Sequence, residues 1–149
     1  DLTPDVATRP VVYMDLDTLL IGAIDDIVTA PHRFTMLRDF KRPRCMSSMM
    51  CWSGDQSALY EAFRADPEAA MARYATDPKL GDQAFIEDRL DPAPDFLQDR
   101  FGDQIESYKA HIRKRLLKRP RRNTRIVFFH GEPGVRDVNH AWARAALTP

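Results

Sequence analysis

Short apolar segments alternate with segments of helical periodicity along this chain, and this alternation constrains the fold more than any other feature. Five segments combine apolar residues with flanking turn formers and so predict strands: 11–14, 34–37, 47–52, 105–112 and 125–129. Elsewhere apolar residues recur every three or four positions, which predicts helices. We expect these helices to begin near Asp55, Pro67, Gly81 and Val138. Strands that interleave with helices indicate an α/β sandwich.

Proline-containing pairs mark the places where the predicted helices end. Asp77-Pro78 is expected to end the second helix and Asp91-Pro92 the third. The stretch 93–102 that follows is predicted to be a loop. The basic stretch 113–125 is the other long predicted loop.

Length and composition favour one globular domain over residues 1–149. The 149 residues, of which 44% are hydrophobic and 30% charged, are enough to bury a core. No apolar run approaches the ~18 residues that a membrane span needs, and no secretory signal pattern is recognisable. Two cysteines, Cys45 and Cys51, are too few for a disulfide framework, so we expect buried thiols in a cytoplasmic protein.

The charges of this chain are balanced in number and uneven in position. It has 22 basic and 22 acidic residues, yet eight basic residues and no acidic one fall between Arg113 and Arg125. Such a run forms either a solvated loop or a surface for an anionic partner. Nucleic acid is not favoured as that partner, because the run contains no aromatic residue for base stacking.

Two aspartates and a histidine stand at the predicted carboxyl ends of strands, where ligands collect in α/β sheets. Asp15 and Asp17 directly follow the strand 11–14. In extended geometry both carboxylates face one side, and a hard divalent cation would relieve their repulsion. The alternative is that the two aspartates only cap turns. His130 follows the last strand, as a further ligand or as a structural histidine.

The segment Val12–Thr18, VYMDLDT, resembles the Asp-x-Asp segment of nucleotide-sugar-dependent glycosyltransferases of the GT-A fold, particularly the family-8-like retaining enzymes. Further segments resemble that family in the same order. Residues 24–27 resemble the turn after the motif, and residues 47–52 resemble the wall of the donor-sugar pocket. Residues 81–83 resemble the Asp-Gln element near the anomeric carbon, and residues 128–131 resemble the strand whose histidine completes the metal site.

The resemblance implies a fold and a metal site. The fold would be an α/β, GT-A-like (Rossmann-like) mixed sheet with flanking helices. We expect its N-terminal nucleotide-binding half to be missing, because only fourteen residues precede Asp15. Asp15, Asp17 and His130 would bind Mn²⁺ or Mg²⁺, and an imidazole ligand favours Mn²⁺. That ion would neutralise the leaving nucleoside diphosphate.

The resemblance also implies a donor-sugar site and a reaction. Asp82 would hydrogen-bond the sugar hydroxyls and Gln83 would approach the anomeric carbon, unless the two are only a helix cap and its neighbour. Asp15 and Ser48 would contact the donor, and Arg136 is the cation that follows His130, where the family usually has a lysine for the diphosphate. The predicted function is a metal-dependent glycosyltransferase that moves a sugar from a nucleotide-sugar donor, a UDP-sugar, to an unknown acceptor.

Two alternatives remain at this stage. A strand followed by Asp-x-Asp also resembles haloacid-dehalogenase-like phosphohydrolases, in which Asp15 would be the nucleophile and Asp17 the acid/base. Leu19 departs from that family's pattern, and His130 would have no role in it. The other alternative is a truncated, non-catalytic transferase-like interaction module.

Overall fold

The computed structural model describes residues 9–75 and 81–148, which form strands and helices in mixed order. The strands are β1 (Val11–Met14), β2 (Thr18–Leu20), β3 (Phe34–Arg38), β4 (Cys45–Trp52), β5 (Asp95–Phe96), β6 (Ile105–Ser107) and β7 (Ile126–Phe128). The helices are α1 (Asp25–Val28), α2 (Ser57–Ala65), α3 (Pro67–Tyr74), α4 (Gly81–Glu87), α5 (Leu97–Phe101) and α6 (Ala141–Leu147). Short 3₁₀ turns cover Gly102–Gln104, Ile112–Lys114 and Val135–Asp137.

The strands form two mixed sheets rather than the single mixed sheet that we expected. The larger sheet has the order β1-β4-β3-β5, in which β4 is antiparallel to both β1 and β3, and β5 is parallel to β3. The smaller sheet has the order β2-β7-β6, with β2 antiparallel and β6 parallel to β7. The chain therefore passes from one sheet to the other between β1 and β2, at residues 15–17.

Alternate residues of β4 face two different parts of the core, as the two-residue period of a strand requires. Met49 and Cys51 pack into the cluster between the two sheets, which also contains Ile126 and Phe128 from β7. Met50 packs on the other side of the larger sheet, in a cluster that α2 and α4 help to cover. Apolar residues on both faces explain why β4 has no polar side facing water.

The smaller sheet also has two covered faces. Val127 and Phe129 project away from the larger sheet, and they pack with Tyr108, Ile112 and Ala143 of α6. The layers are thus α6, the smaller sheet, the larger sheet and the helices α2–α4. This arrangement confirms a mixed α/β fold with flanking helices. No helix within residues 9–75 and 81–148 is long and apolar enough to cross a membrane.

Several predicted elements differ from the structure in extent. The strand predicted over 105–112 ends at Ser107, because the Tyr108 carbonyl accepts a hydrogen bond from the Arg113 N–H, which closes a turn. The stretch 93–102, predicted as a loop, contains β5 and α5. The final helix begins at Ala141 rather than at Val138.

The helices of the central region begin close to the predicted residues. Asp55 does not cap α2 but accepts a hydrogen bond from the Ser57 N–H at 2.8 Å, in the turn before the helix. Asp66 caps α3 by accepting from the Ala69 N–H at 2.9 Å, and Pro67 occupies its first turn as predicted. Helix α4 begins at Gly81 and ends at Glu87, before the predicted end. The predicted break at Asp77-Pro78 lies outside the described residues.

Candidate functional site

The two aspartates of the Asp-x-Asp segment lie in the turn that connects the two sheets. Strand β1 ends at Met14, and the Thr18 N–H donates to the Asp15 carbonyl at 3.1 Å. Leu16, at the tip of this turn, is fully exposed. The expectation of extended geometry from Asp15 to Asp17 is therefore wrong, because the chain turns there to enter the second sheet. The two carboxylates contact different partners.

Asp17 is joined to the segment that follows β7. Its carbonyl accepts from the Phe129 N–H at 3.1 Å, and its Oδ2 accepts from the Gly131 N–H at 3.3 Å. Three side-chain atoms in these segments are buried and have no hydrogen-bond partner among the described residues: Asp17 Oδ1, Thr18 Oγ1 and His130 Nε2. These hydrogen bonds join Asp17 to the two residues that flank His130. That Asp17 and His130 share a metal site stays a prediction.

His130 is held in an unusual backbone conformation at the end of β7. Its φ is 44°, in the left-handed region, and Gly131 follows at 68°. Few non-glycine residues adopt such angles. The imidazole stacks on Phe128, with ring centroids 6.0 Å apart, and lies 5.4 Å from the ring of Phe40.

The electrostatic surroundings of His130 favour a neutral imidazole. Burial lowers the pKa of His130, and the negative charges of Asp17 and Asp39 oppose this lowering only in part. The positive charges of Lys109 and Lys41 lower the pKa further. A neutral imidazole has one nitrogen lone pair, and this is the form that binds metal ions.

Asp15 lies with a second group of residues that the sequence analysis singled out. Its N–H donates to the Ser48 carbonyl at 2.9 Å, and its Oδ1 accepts from the Tyr13 hydroxyl at 2.8 Å. This hydrogen bond and the charge of Asp15 raise the pKa of Tyr13, and the charge of Asp82 adds to the effect. Asp15 therefore contacts Ser48 through its backbone and Tyr13 through its carboxylate, whereas Asp82 acts on Tyr13 through its charge.

The first turn of α4 carries Asp82, which is exposed, and Gln83, which is half-buried. Asp82 also lines a cavity of about 750 Å³ between the larger sheet and helices α2–α4. The described lining is otherwise uncharged and largely apolar, and it includes Trp52 and Phe85. Asp82 is thus the one carboxylate among the described lining residues of this cavity.

Lys109 is a cation at the site that sequence reasoning missed. Its Nζ donates to the His130 carbonyl at 2.5 Å, and it lies 3.7 Å from the point that a Cβ on Gly131 would occupy. Parallel pairing of β6 with β7 produces this contact across 21 residues of sequence. Arg136 is exposed in the 3₁₀ turn Val135–Asp137. Lys109, rather than Arg136, is the cation bound to the His130 segment.

The three predicted metal ligands are divided between two groups. Asp17 lies with His130, whereas the Asp15 carboxylate is engaged by Tyr13. Within residues 9–75 and 81–148, no three His, Cys, Asp or Glu side chains are grouped so that they could hold a metal ion. The fit to a metal therefore depends on two atoms, Asp17 Oδ1 and His130 Nε2, which are both buried and unsatisfied.

Comparison of the chain with protein-family models, with characterised proteins and with solved structures gave no match. Any function for this chain must therefore be argued from the residues and geometry of the site itself.

Proposed function

We propose that this chain carries the metal- and donor-binding part of a glycosyltransferase that moves a sugar from a nucleotide-sugar donor to an acceptor. In this proposal the two sheets belong to a GT-A-like fold. The observation that supports it most is the pair of buried, unsatisfied atoms Asp17 Oδ1 and His130 Nε2. Asp17 lies where the chain crosses between the sheets, and His130 follows β7.

A buried polar atom without a partner costs about 1–3 kcal/mol, so a ligand that satisfies both Asp17 Oδ1 and His130 Nε2 would recover that cost. A divalent cation would satisfy a carboxylate oxygen and an imidazole nitrogen together, and this donor pair suits Mn²⁺ somewhat better than Mg²⁺. Asp15 would complete the set once its carboxylate leaves the Tyr13 hydroxyl. When bound, the ion would supply positive charge that stabilises the departing nucleoside diphosphate.

The other residues of the site have separate roles in this proposal. The ammonium of Lys109, fixed against the His130 carbonyl, adds a positive charge for the diphosphate. Asp82 is exposed near Tyr13 and accepts hydrogen bonds from sugar hydroxyls, with Gln83 beside it on the same turn. Ser48 anchors the Asp15 backbone and so fixes the floor of the donor site.

The phosphohydrolase alternative accounts for less of the geometry. It uses Asp15 and Asp17, but it assigns no role to the unsatisfied nitrogen of His130. An interaction module without catalysis would need neither unsatisfied atom. We therefore base the experiment on cation binding.

The test is a titration of Mn²⁺, in which the free ion is followed by electron paramagnetic resonance and the melting temperature by circular dichroism. Wild-type protein should bind Mn²⁺. At about 100 times the dissociation constant, the ion should raise the melting temperature by roughly 8 °C. UDP should add to this only when Mn²⁺ is present.

The variants Asp17→Asn and His130→Asn should lose Mn²⁺ binding. Asn suits position 130 because it tolerates the left-handed backbone better than most residues. Asp95→Asn, which removes an exposed carboxylate of β5, is the matched control and should bind like wild type. Wild-type protein that leaves the Mn²⁺ signal unchanged would refute the metal site. Mn²⁺ binding with no effect of UDP would leave the metal site standing and would refute donor binding by this chain alone.

A further inference from the structure

Two adjacent leucines project into water at the tip of a basic loop, which we define as residues 113–125. Leu116 is 97% exposed and Leu117 is 73% exposed. A single exposed leucine is ordinary, but two neighbouring ones flanked on both sides by cations form an amphipathic surface. The exposed cations around them are Arg113, Lys114, Lys118, Arg119, Arg121 and Arg122.

The basic loop is held in place by a buried carboxylate. Glu106 of β6 has a side chain only 2% exposed, and it pairs with the guanidinium of Arg115. It also accepts from the Arg121 N–H at 2.9 Å and from the Thr124 hydroxyl at 2.7 Å. The loop is therefore anchored on one side, and the leucines face away from the buried anchor.

Further hydrogen bonds fix the turn that presents the leucines. Trp142 Nε1 of α6 donates to the Lys118 carbonyl at 3.1 Å, and Arg115 donates to the Arg119 carbonyl at 3.0 Å. Lys118 itself has a left-handed φ of 47°. A loop with this many contacts has little freedom to fold its leucines back onto the protein.

A polar cleft of about 440 Å³ lies beside Leu117. Lys118 and Arg119 form part of its wall, together with His140, which precedes α6, and Trp142 of α6. In a lipid the phosphate lies above the acyl chain. The two cations at the edge of the cleft are placed for the phosphate, and the exposed leucine next to them is placed for the acyl chain.

We propose that the basic loop docks on an anionic lipid bilayer, with Leu116 and Leu117 inserted below the headgroups and the surrounding cations on lipid phosphates. An acidic protein would supply negative charge but no apolar phase for two leucines at a protruding tip. A bilayer supplies both. This inference is independent of the proposed transferase activity.

The test is cosedimentation with phosphatidylcholine vesicles that contain roughly 30% phosphatidylglycerol, compared with phosphatidylcholine alone. Wild-type protein should bind the anionic vesicles only, and about 1 M NaCl should release it because screening shortens electrostatic range. Leu116→Ser/Leu117→Ser should weaken binding about tenfold or more. Lys118→Gln/Arg119→Gln should weaken it about 25-fold, since each cation near an anionic surface contributes about fivefold.

Matched controls lie outside the basic loop. Leu20→Ser removes another exposed leucine, and Arg64→Gln/Arg73→Gln removes two exposed cations of α2 and α3. These variants should bind like wild type, and circular dichroism checks that every variant is folded. Wild-type protein that stays in the supernatant with anionic vesicles would overturn the proposal. So would a double-leucine variant that sediments like wild type, or equal binding to both kinds of vesicle.

Discussion

Replacing Glu106 by Gln tests whether one buried carboxylate holds the basic loop to the smaller sheet. Burial alone would raise the pKa of Glu106. Hydrogen bonds from Arg115, Thr124 and the Arg121 N–H more than offset burial and hold the pKa at about 2, against an ordinary value of 4.5. The carboxylate is therefore more stable as an anion in the folded chain than in the unfolded chain.

The pKa difference gives the size and the pH range of the effect. A fall from 4.5 to about 2 corresponds to about 3 kcal/mol of folding free energy. Because the folded-state pKa is the lower one, this contribution is complete above about pH 5. It is lost as the pH falls from about 4.5 towards 2. Glu106→Gln, which keeps the side-chain size and removes the charge, should cost about 3 kcal/mol at neutral pH.

Urea unfolding followed by circular dichroism measures this difference at neutral pH and at several values between about pH 5 and pH 3. The gap between wild type and Glu106→Gln should narrow as the pH falls, because the wild-type carboxylate loses its advantage. Glu61→Gln, at an exposed position on α2, is the control and should change stability by less than about 0.5 kcal/mol. A Glu106→Gln variant as stable as wild type at neutral pH would refute the anchoring role. A gap that does not change with pH would refute the argument from the pKa.

Two further outcomes follow from the described contacts. Burial raises the pKa of Cys45 and Cys51 to about 12. Iodoacetamide at about pH 8 should therefore leave both thiols unmodified in the folded protein and alkylate both in urea, as mass spectrometry would show. Alkylation of the folded protein would contradict their burial. Tyr13→Phe removes the hydroxyl that donates a hydrogen bond to the Asp15 carboxylate. This variant should therefore bind Mn²⁺ several-fold more tightly in the paramagnetic resonance titration. Weaker binding would contradict the role given to Asp15.

Much of the larger sheet could be predicted because the residues of its strands form local patterns that are typical of strands. Strands β1, β3 and β4 are apolar runs bounded by turn-forming residues, and each was placed within about two residues. Strand β5 could not be found in this way. It has two residues, Asp95 and Phe96, and it exists because it pairs with β3 some sixty residues earlier in the chain. No local pattern encodes such a pairing.

The candidate site shows the same division between local and distant causes. The position of Asp17 and His130 after strands predicted that they could meet, and hydrogen bonds join their segments. The two-residue period failed for Asp15, because the chain leaves the strand at Met14 and turns into another sheet. Lys109 reaches His130 only through the parallel pairing of β6 and β7, which its own sequence surroundings do not reveal.

The basic loop shows why a count of charges does not define a surface. All eight cations between Arg113 and Arg125 look equivalent in the sequence. In the structure Arg115 is bound to Glu106, and Arg125 is bound to Asp26 and to the Ala23 carbonyl. These two residues hold the loop to the fold and are not available to a partner in the same way as the exposed cations. Substitution of the anchored cations should therefore lower stability, whereas substitution of the exposed ones should weaken the proposed vesicle binding and leave the chain folded.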